Sequence, residues 1–118
     1  MKIKLKDNPR SFYPTGNKEI MIKDMGEIEL IADELITFVN SSGKRYDFVS
    51  KNWGFYATPS INSRLKNEGY KTALVKNSKG QVYIMVIDNE KLDFFQKYCE
   101  MDKQEVLEWL DEKFEIKQ

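Results

Sequence analysis

The sequence predicts an α+β fold: a mostly antiparallel sheet, a short helix after the Trp-Gly-Phe-Tyr strand, and two C-terminal helices packed on the sheet. Three observations carry this expectation. Between residues 18 and 88, runs rich in β-branched and aromatic residues are separated by Gly- and Asn-containing turns, the pattern of antiparallel strands. From residue 90 onward the apolar residues recur at helical spacing. The chain has 118 residues, 41% of them hydrophobic and 13% aromatic, enough for one domain with its own core. Residues 1–118 are therefore read as a single domain, with 1–17 as an irregular N-terminal arm.

In that arm Ile3 and Leu5 alternate with lysines, but Pro9, Pro14 and Gly16 interrupt any regular element. Phe12 and Tyr13 lie between the prolines and are read as anchors for a loop lying on the core, or else as part of a ligand pocket. Lys18 to Lys23 alternates as a strand, and Asp24-Met25-Gly26 reads as a tight turn, since glycine tolerates a positive φ. Glu27 to Val39 fits a helical stripe and strand alternation alike; its β-branched and aromatic content favours two strands around Ala32-Asp33-Glu34. Asn40-Ser41-Ser42-Gly43 is a turn, so Glu34 to Val49 reads as a hairpin.

Trp53 to Ala57 is a short extended piece that Thr58-Pro59 ends. A helix follows from Ser60 or Ile61 to Glu68, capped by Thr58 or Ser60 and closed by Gly69. Lys71 to Lys76 and Gln81 to Asp88 are strands joined by Asn77-Ser78-Lys79-Gly80, with Gly80 in the left-handed position. Val82 to Ile87 is apolar on both faces, which reads as a central strand covered on both sides or one whose second face meets a helix. The first C-terminal helix spans about Glu90 to Glu100, with Leu92, Phe95 and Cys99 on one stripe. The second begins at Asp102, with Glu105 placed as in a capping box and Val106, Leu107, Leu110 and Phe114 inward.

Composition narrows the chemistry. There is no histidine, which removes Ser-His-Asp and Cys-His systems and nearly all zinc sites. The lone Cys99 sits on an apolar stripe and reads as a small core residue; one cysteine also fits a reducing, cytoplasmic setting. No P-loop or dinucleotide fingerprint is present, and no cofactor is expected. Asp102, Glu105, Glu108, Asp111, Glu112 and Glu115 read as a solvated acidic helix face, so no metal site and no catalytic residue is assigned. No apolar run is long enough to span a membrane and no signal peptide is visible. Net charge is zero, although residues 44–87 carry eight basic and two acidic groups and residues 88–118 five basic and ten acidic. That balance argues against duplex DNA, which demands many phosphate contacts.

One stretch stands out as a ligand-binding candidate. The start of the Ser60–Glu68 helix would expose unpaired N–H groups and the positive end of its dipole. Thr58, Ser60, Asn62 and Ser63 lie there, with Arg64 one turn in, a seat for phosphate or carboxylate. Trp53 and Tyr56, with Phe55 between them, would stack on a sugar or base beside it. The alternative is that the aromatics pack in the core, the hydroxyls cap the helix and Arg64 pairs with a surface carboxylate.

The run Lys51-Asn52-Trp53-Gly54-Phe55-Tyr56-Ala57-Thr58-Pro59-Ser60-Ile61-Asn62-Ser63-Arg64-Leu65, followed by Gly69-Tyr70-Lys71-Thr72-Ala73-Leu74-Val75-Lys76-Asn77, resembles small uncharacterised bacterial proteins associated with surface-polysaccharide biosynthesis gene neighbourhoods. The resemblance covers about Arg45 to Leu110 and implies a bacterial, cytoplasmic accessory role. Arg64-Leu65, Gly69-Tyr70 and Ala73-Leu74-Val75 are also similar to the helix-to-strand step of peptidoglycan-binding SPOR domains. Three functions are thus carried forward. The first is a non-catalytic binding or accessory module with a partner protein. The second is a small enzyme or carrier binding an anionic sugar derivative near Arg64. The third is a single-stranded nucleic-acid binder using the basic middle and its aromatics.

Overall fold

The computed structural model describes residues 1–15 and 18–117; the interruption expected at Gly16 lies outside them. Eight strands and three α-helices follow in order: β1 (Lys2–Phe12), β2 (Ile22–Glu29), β3 (Leu35–Val39), β4 (Arg45–Lys51), β5 (Gly54–Ala57), α1 (Arg64–Asn67), β6 (Tyr70–Lys76), β7 (Val82–Asp88), α2 (Leu92–Met101), β8 (Glu105–Trp109) and α3 (Leu110–Lys113). The fold is α+β with antiparallel strand pairing, as expected. The chain, read from sequence as one domain, divides into two compact units: Met1–Phe38 with Asp47–Ala57, and Val39–Tyr46 with Thr58–Gln118.

In the first unit, β1 and β2 form a two-stranded ribbon. The expected irregular arm is a strand over Lys2–Phe12, and the irregularity is confined to a register shift between Leu5 and Arg10. Pro9 falls in that shift, where a missing N–H breaks no ladder bond. Nor is Asp24-Met25-Gly26 a turn: β2 runs through it. Gly26, at φ 133°, faces β1 so closely that a Cβ there would lie 2.1 Å from the Lys4 carbonyl oxygen. Glycine is used here for close approach, and the same freedom that suggests a turn also permits a bulge. The ambiguous Glu27–Val39 segment does consist of strands, with Asp33 in the left-handed region at φ 69° between them. Asp33 N–H donates to the Ser50 carbonyl and Ser50 N–H to that of Glu34, fixing the turn to β4. β5 pairs with β4 through a two-residue turn, Asn52-Trp53, with Lys51 opposite Gly54.

The second unit is built on the sheet β7-β6-β8. Tyr70–Lys76 is the central strand, and Thr72, Ala73 and Val75 are fully buried. Ala73, Val75 and Ile87 form the core, with Met85, Phe95, Val106 and Trp109 packed on it. The β6–β7 hairpin and its Asn77–Gly80 turn are as expected, with Gly80 at φ 81°. So is the first C-terminal helix, α2, preceded by a 3-10 turn at Asn89–Lys91 that Asp88 caps.

Three expectations are corrected. The apolar run Val82–Ile87 is an edge strand, not a central one: Val82, Tyr83 and Ile84 are exposed. The helix expected from Ser60 to Glu68 is reduced to Arg64–Asn67, although Gly69 does terminate it at φ 94°. The second C-terminal helix is mostly strand: Glu105–Trp109 is β8, paired with β6, and only Leu110–Lys113 is helical. Asp102 does not open a helix but follows the end of α2, where its carboxylate accepts from Gln104. Lys103, at φ 52°, then turns the chain. The free edge of β6 decides the outcome, because pairing four residues there brings Val106 opposite Val75 and Trp109 opposite Ala73.

Candidate functional site

The predicted site residues fall into two groups, one in each unit. In the first unit, the Asn52-Trp53 turn places Trp53 at a hairpin tip, and strand alternation sends Phe55 and Tyr56 to opposite faces. The core reading of these aromatics does not hold, since Trp53 is 67% exposed, Phe55 68% and Tyr56 46%. The rings of Trp53 and Tyr56 stack, with centroids 5.9 Å apart and planes 8° from parallel. They form a flat apolar platform. Lys51, on the same hairpin, donates to Asp33. That bond raises the lysine's pKa, and the nearby Tyr56 adds to the effect. Phe55, on the other face, closes one wall of a groove of about 450 Å³ along the ribbon, where Lys2 lies opposite Glu29 and Lys4 opposite Glu27.

The polar group of the predicted site lies in the second unit, where Thr58, Ser60, Asn62 and Arg64 are engaged within the chain. Arg64 donates through Nη2 to Thr58 Oγ1 at 2.9 Å, and its Nη1 lies 3.9 Å from Glu68 Oε1. Ser60 Oγ accepts from the Arg64 backbone N–H at 3.1 Å, and the Ser60 carbonyl accepts from Leu65. Asn62 donates to the Phe114 carbonyl at 2.9 Å. Ser63 stands at the N-cap without a side-chain capping bond. A helix of four residues also has little dipole to offer an anion. Thr58, Ser60, Asn62 and Arg64 therefore act here as a local clasp that shapes the entry to β6.

Sequence spacing gave no sign of the most polar buried cluster, because its members are far apart along the chain. Lys44 pairs with Asp88 and also donates to the Gly69 carbonyl at 3.3 Å. Ser42 donates to the other Asp88 oxygen at 2.9 Å, and Asn40 donates to the Tyr70 hydroxyl at 3.1 Å. The Lys44 ammonium and the Glu90 N–H pull the Asp88 carboxyl down to about 2. A second cluster centres on Asp111, which is fully buried and not part of a solvated acidic face. Its carboxylate accepts from Thr72 N–H at 3.0 Å and from Lys71 at 3.1 Å. Burial pushes its pKa up, but these two donors outweigh it and the net shift is downward. Both clusters hold strands together, and in each the buried carboxylate is paired with a lysine. For Cys99, burial pushes the thiol pKa up, which suits an inert packing residue.

The basic middle of the chain is largely neutralised. Lys44, Lys51, Arg64, Lys66, Lys71 and Lys76 each lie within 4.0 Å of a carboxylate. Among the described residues, no group of three or more His, Cys, Asp or Glu side chains is placed to hold a metal ion, and no helix is long and apolar enough to cross a membrane. No family model, curated protein or solved structure matches this chain.

Proposed function

We propose that this protein is a non-catalytic binding module of the bacterial cytoplasm, with an accessory role in surface-polysaccharide synthesis, and that its ligand face is the Trp53–Tyr56 stack. One observation carries the reading: two large rings lie parallel and exposed at a hairpin tip. Leaving two such rings in water forgoes roughly 1.5–3 kcal/mol of burial for each, which a ligand laid on them would recover. The apolar face of a sugar ring matches a flat aromatic surface. A nucleobase would stack as well, but a nucleic-acid site also needs free cations along the backbone, and Lys51, the lysine of this hairpin, is paired with Asp33. The link to polysaccharide synthesis rests on the resemblance of residues 45–110.

The test is intrinsic fluorescence, titrated with oligosaccharides released from bacterial surface polysaccharide. The chain has two tryptophans, and Trp109 is partly buried beneath Lys71, so a ligand on the platform should perturb the Trp53 emission. The wild type should respond saturably, Trp53→Ala should lose the response, and Tyr56→Ala should weaken binding about tenfold, at ~1.4 kcal/mol per decade. No saturable change across the saccharide panel would overturn the reading, as would a response that survives in Trp53→Ala.

A further inference from the structure

The sheet β7-β6-β8 has two edges, and they are built differently. At one edge, β8 is five residues long, carries Glu105 and Glu108, and pairs with β6 through a register shift at Leu74/Val75. Short length, charge and a bulge are the devices that keep an edge strand from pairing with another chain. At the other edge, β7 is longer and unbulged, and only its last residue, Asp88, is charged. Its seven residues pair with β6 in one unbroken register, Tyr70 opposite Asp88 through Lys76 opposite Val82. From Val82 to Ile87 it contains no charge, no proline and no glycine. Ile84, at its middle, is 69% exposed, and Val82 and Tyr83 are exposed beside it. Such an edge presents a row of backbone donors and acceptors framed by apolar side chains.

The geometry points to self-association of this protein through β7, two copies pairing antiparallel about a two-fold axis at Ile84. Pairing about that residue sets Ile84 opposite its own mate, Val82 opposite Val86 and Tyr83 opposite Met85, so every cross-strand pair between residues 82 and 86 is apolar. Opposed residues fall on the same face, as an antiparallel ladder requires. The competing contact, β7 of one copy against β8 of the next, would lay Glu105 and Glu108 along an uncharged strand that offers them no partner. It is also head-to-tail, so it would not close after two copies. The self-complementary pairing closes and joins the two three-stranded sheets into one of six strands. It is independent of the Trp53–Tyr56 platform.

Sedimentation velocity over a range of concentrations, on wild type and Ile84→Lys, tests the proposal. The wild type should shift from monomer to dimer as concentration rises. Ile84→Lys, a charge added at an exposed position on the axis, should remain monomeric with unchanged circular dichroism, and should melt as the wild type does at concentrations where the wild type is monomeric. Independently, Ile84→Cys in a Cys99→Ser background should become a disulfide-linked dimer under mild oxidation. Residues opposed in an antiparallel pair have Cα atoms about 4.5–5.5 Å apart, within reach of a disulfide. Lys79→Cys in the same background should not crosslink. A wild type that is monomeric throughout overturns the proposal and leaves the β7 edge to a strand of another protein. A dimer that Ile84→Lys leaves intact, or Ile84→Cys that fails to crosslink, also overturns it.

Discussion

The two units of this chain spend their apolar residues in opposite ways. In the second unit, Leu65, Ala73 and Val75 are wholly removed from water, and Tyr70 and Ile87 nearly so. In the first, only Val49 among the described hydrophobic residues is buried, while Ile3, Leu5, Ile28, Leu35, Phe38 and the aromatics of β5 and its turn remain exposed. Both units are strand-rich, but the three α-helices all belong to the second. The difference lies in what covers the strands. In the second unit α2 contributes Phe95 to the core. In the first, the β1–β2 ribbon has only two strands, and a ribbon of that size is marginally stable by itself. Buried apolar surface is thus concentrated in the second unit, and the first leaves more of its large apolar side chains in water.

The strongest way to break this comparison is a matched pair of leucine truncations. Leu65→Ala removes a side chain with no solvent exposure and should cost about 2–5 kcal/mol in urea unfolding. Leu5→Ala, at a position 74% exposed, should change stability by no more than about 0.5 kcal/mol. Equal costs would mean that the first unit carries a core of its own.

Gly26→Ala should come next. The new methyl would meet the Lys4 carbonyl, at a φ that alanine rarely adopts, so the β1–β2 pairing should weaken by more than about 1 kcal/mol. Amide exchange should quicken across β1 and β2 and stay unchanged in β6. Faster exchange in β6 as well would show that the two units unfold together.

The third prediction concerns acid. Asp88 has a pKa of about 2 when folded, against an ordinary value of 3.8. A carboxyl lowered on folding favours the folded state above its unfolded pKa, and that advantage is lost as pH falls through the folded value. The second unit should therefore lose the Lys44–Asp88 contribution between about pH 4 and pH 2. Asp88→Asn should lower the urea midpoint at pH 7, and the gap from wild type should narrow across that window. A gap independent of pH would mean that the carboxylate's charge contributes nothing.

The smallest effect is expected where function is proposed. Trp53→Ala should change stability by less than about 1 kcal/mol, since an exposed aromatic pair contributes little beyond its own contact. A cost of several kcal/mol would make the stack a folding element and not a binding surface.

Local chemistry alone determined much of this protein. The β3–β4 and β6–β7 hairpins follow from their Asn- and Gly-containing turns, α2 from its apolar stripe, and the end of α1 from Gly69, because each depends on backbone preferences within a few residues. The candidate site was half legible: Trp53 and Tyr56 could be singled out by type, but their exposure and mutual stacking could not. The local engagement of Thr58, Ser60 and Arg64 was among the alternatives read from the sequence, but the Asn62 bond to Phe114 was hidden because it joins residues distant in sequence. Tertiary structure also decided three elements. Val106, Leu107 and Leu110 fit a helix as well as a strand until the open edge of β6 offers hydrogen bonds. Gly26 suits a turn or a bulge until β1 lies across it. The apolar run of β7 reads as interior because hydrophobicity records a side chain's preference to leave water, whereas burial depends on whether another surface arrives to cover it.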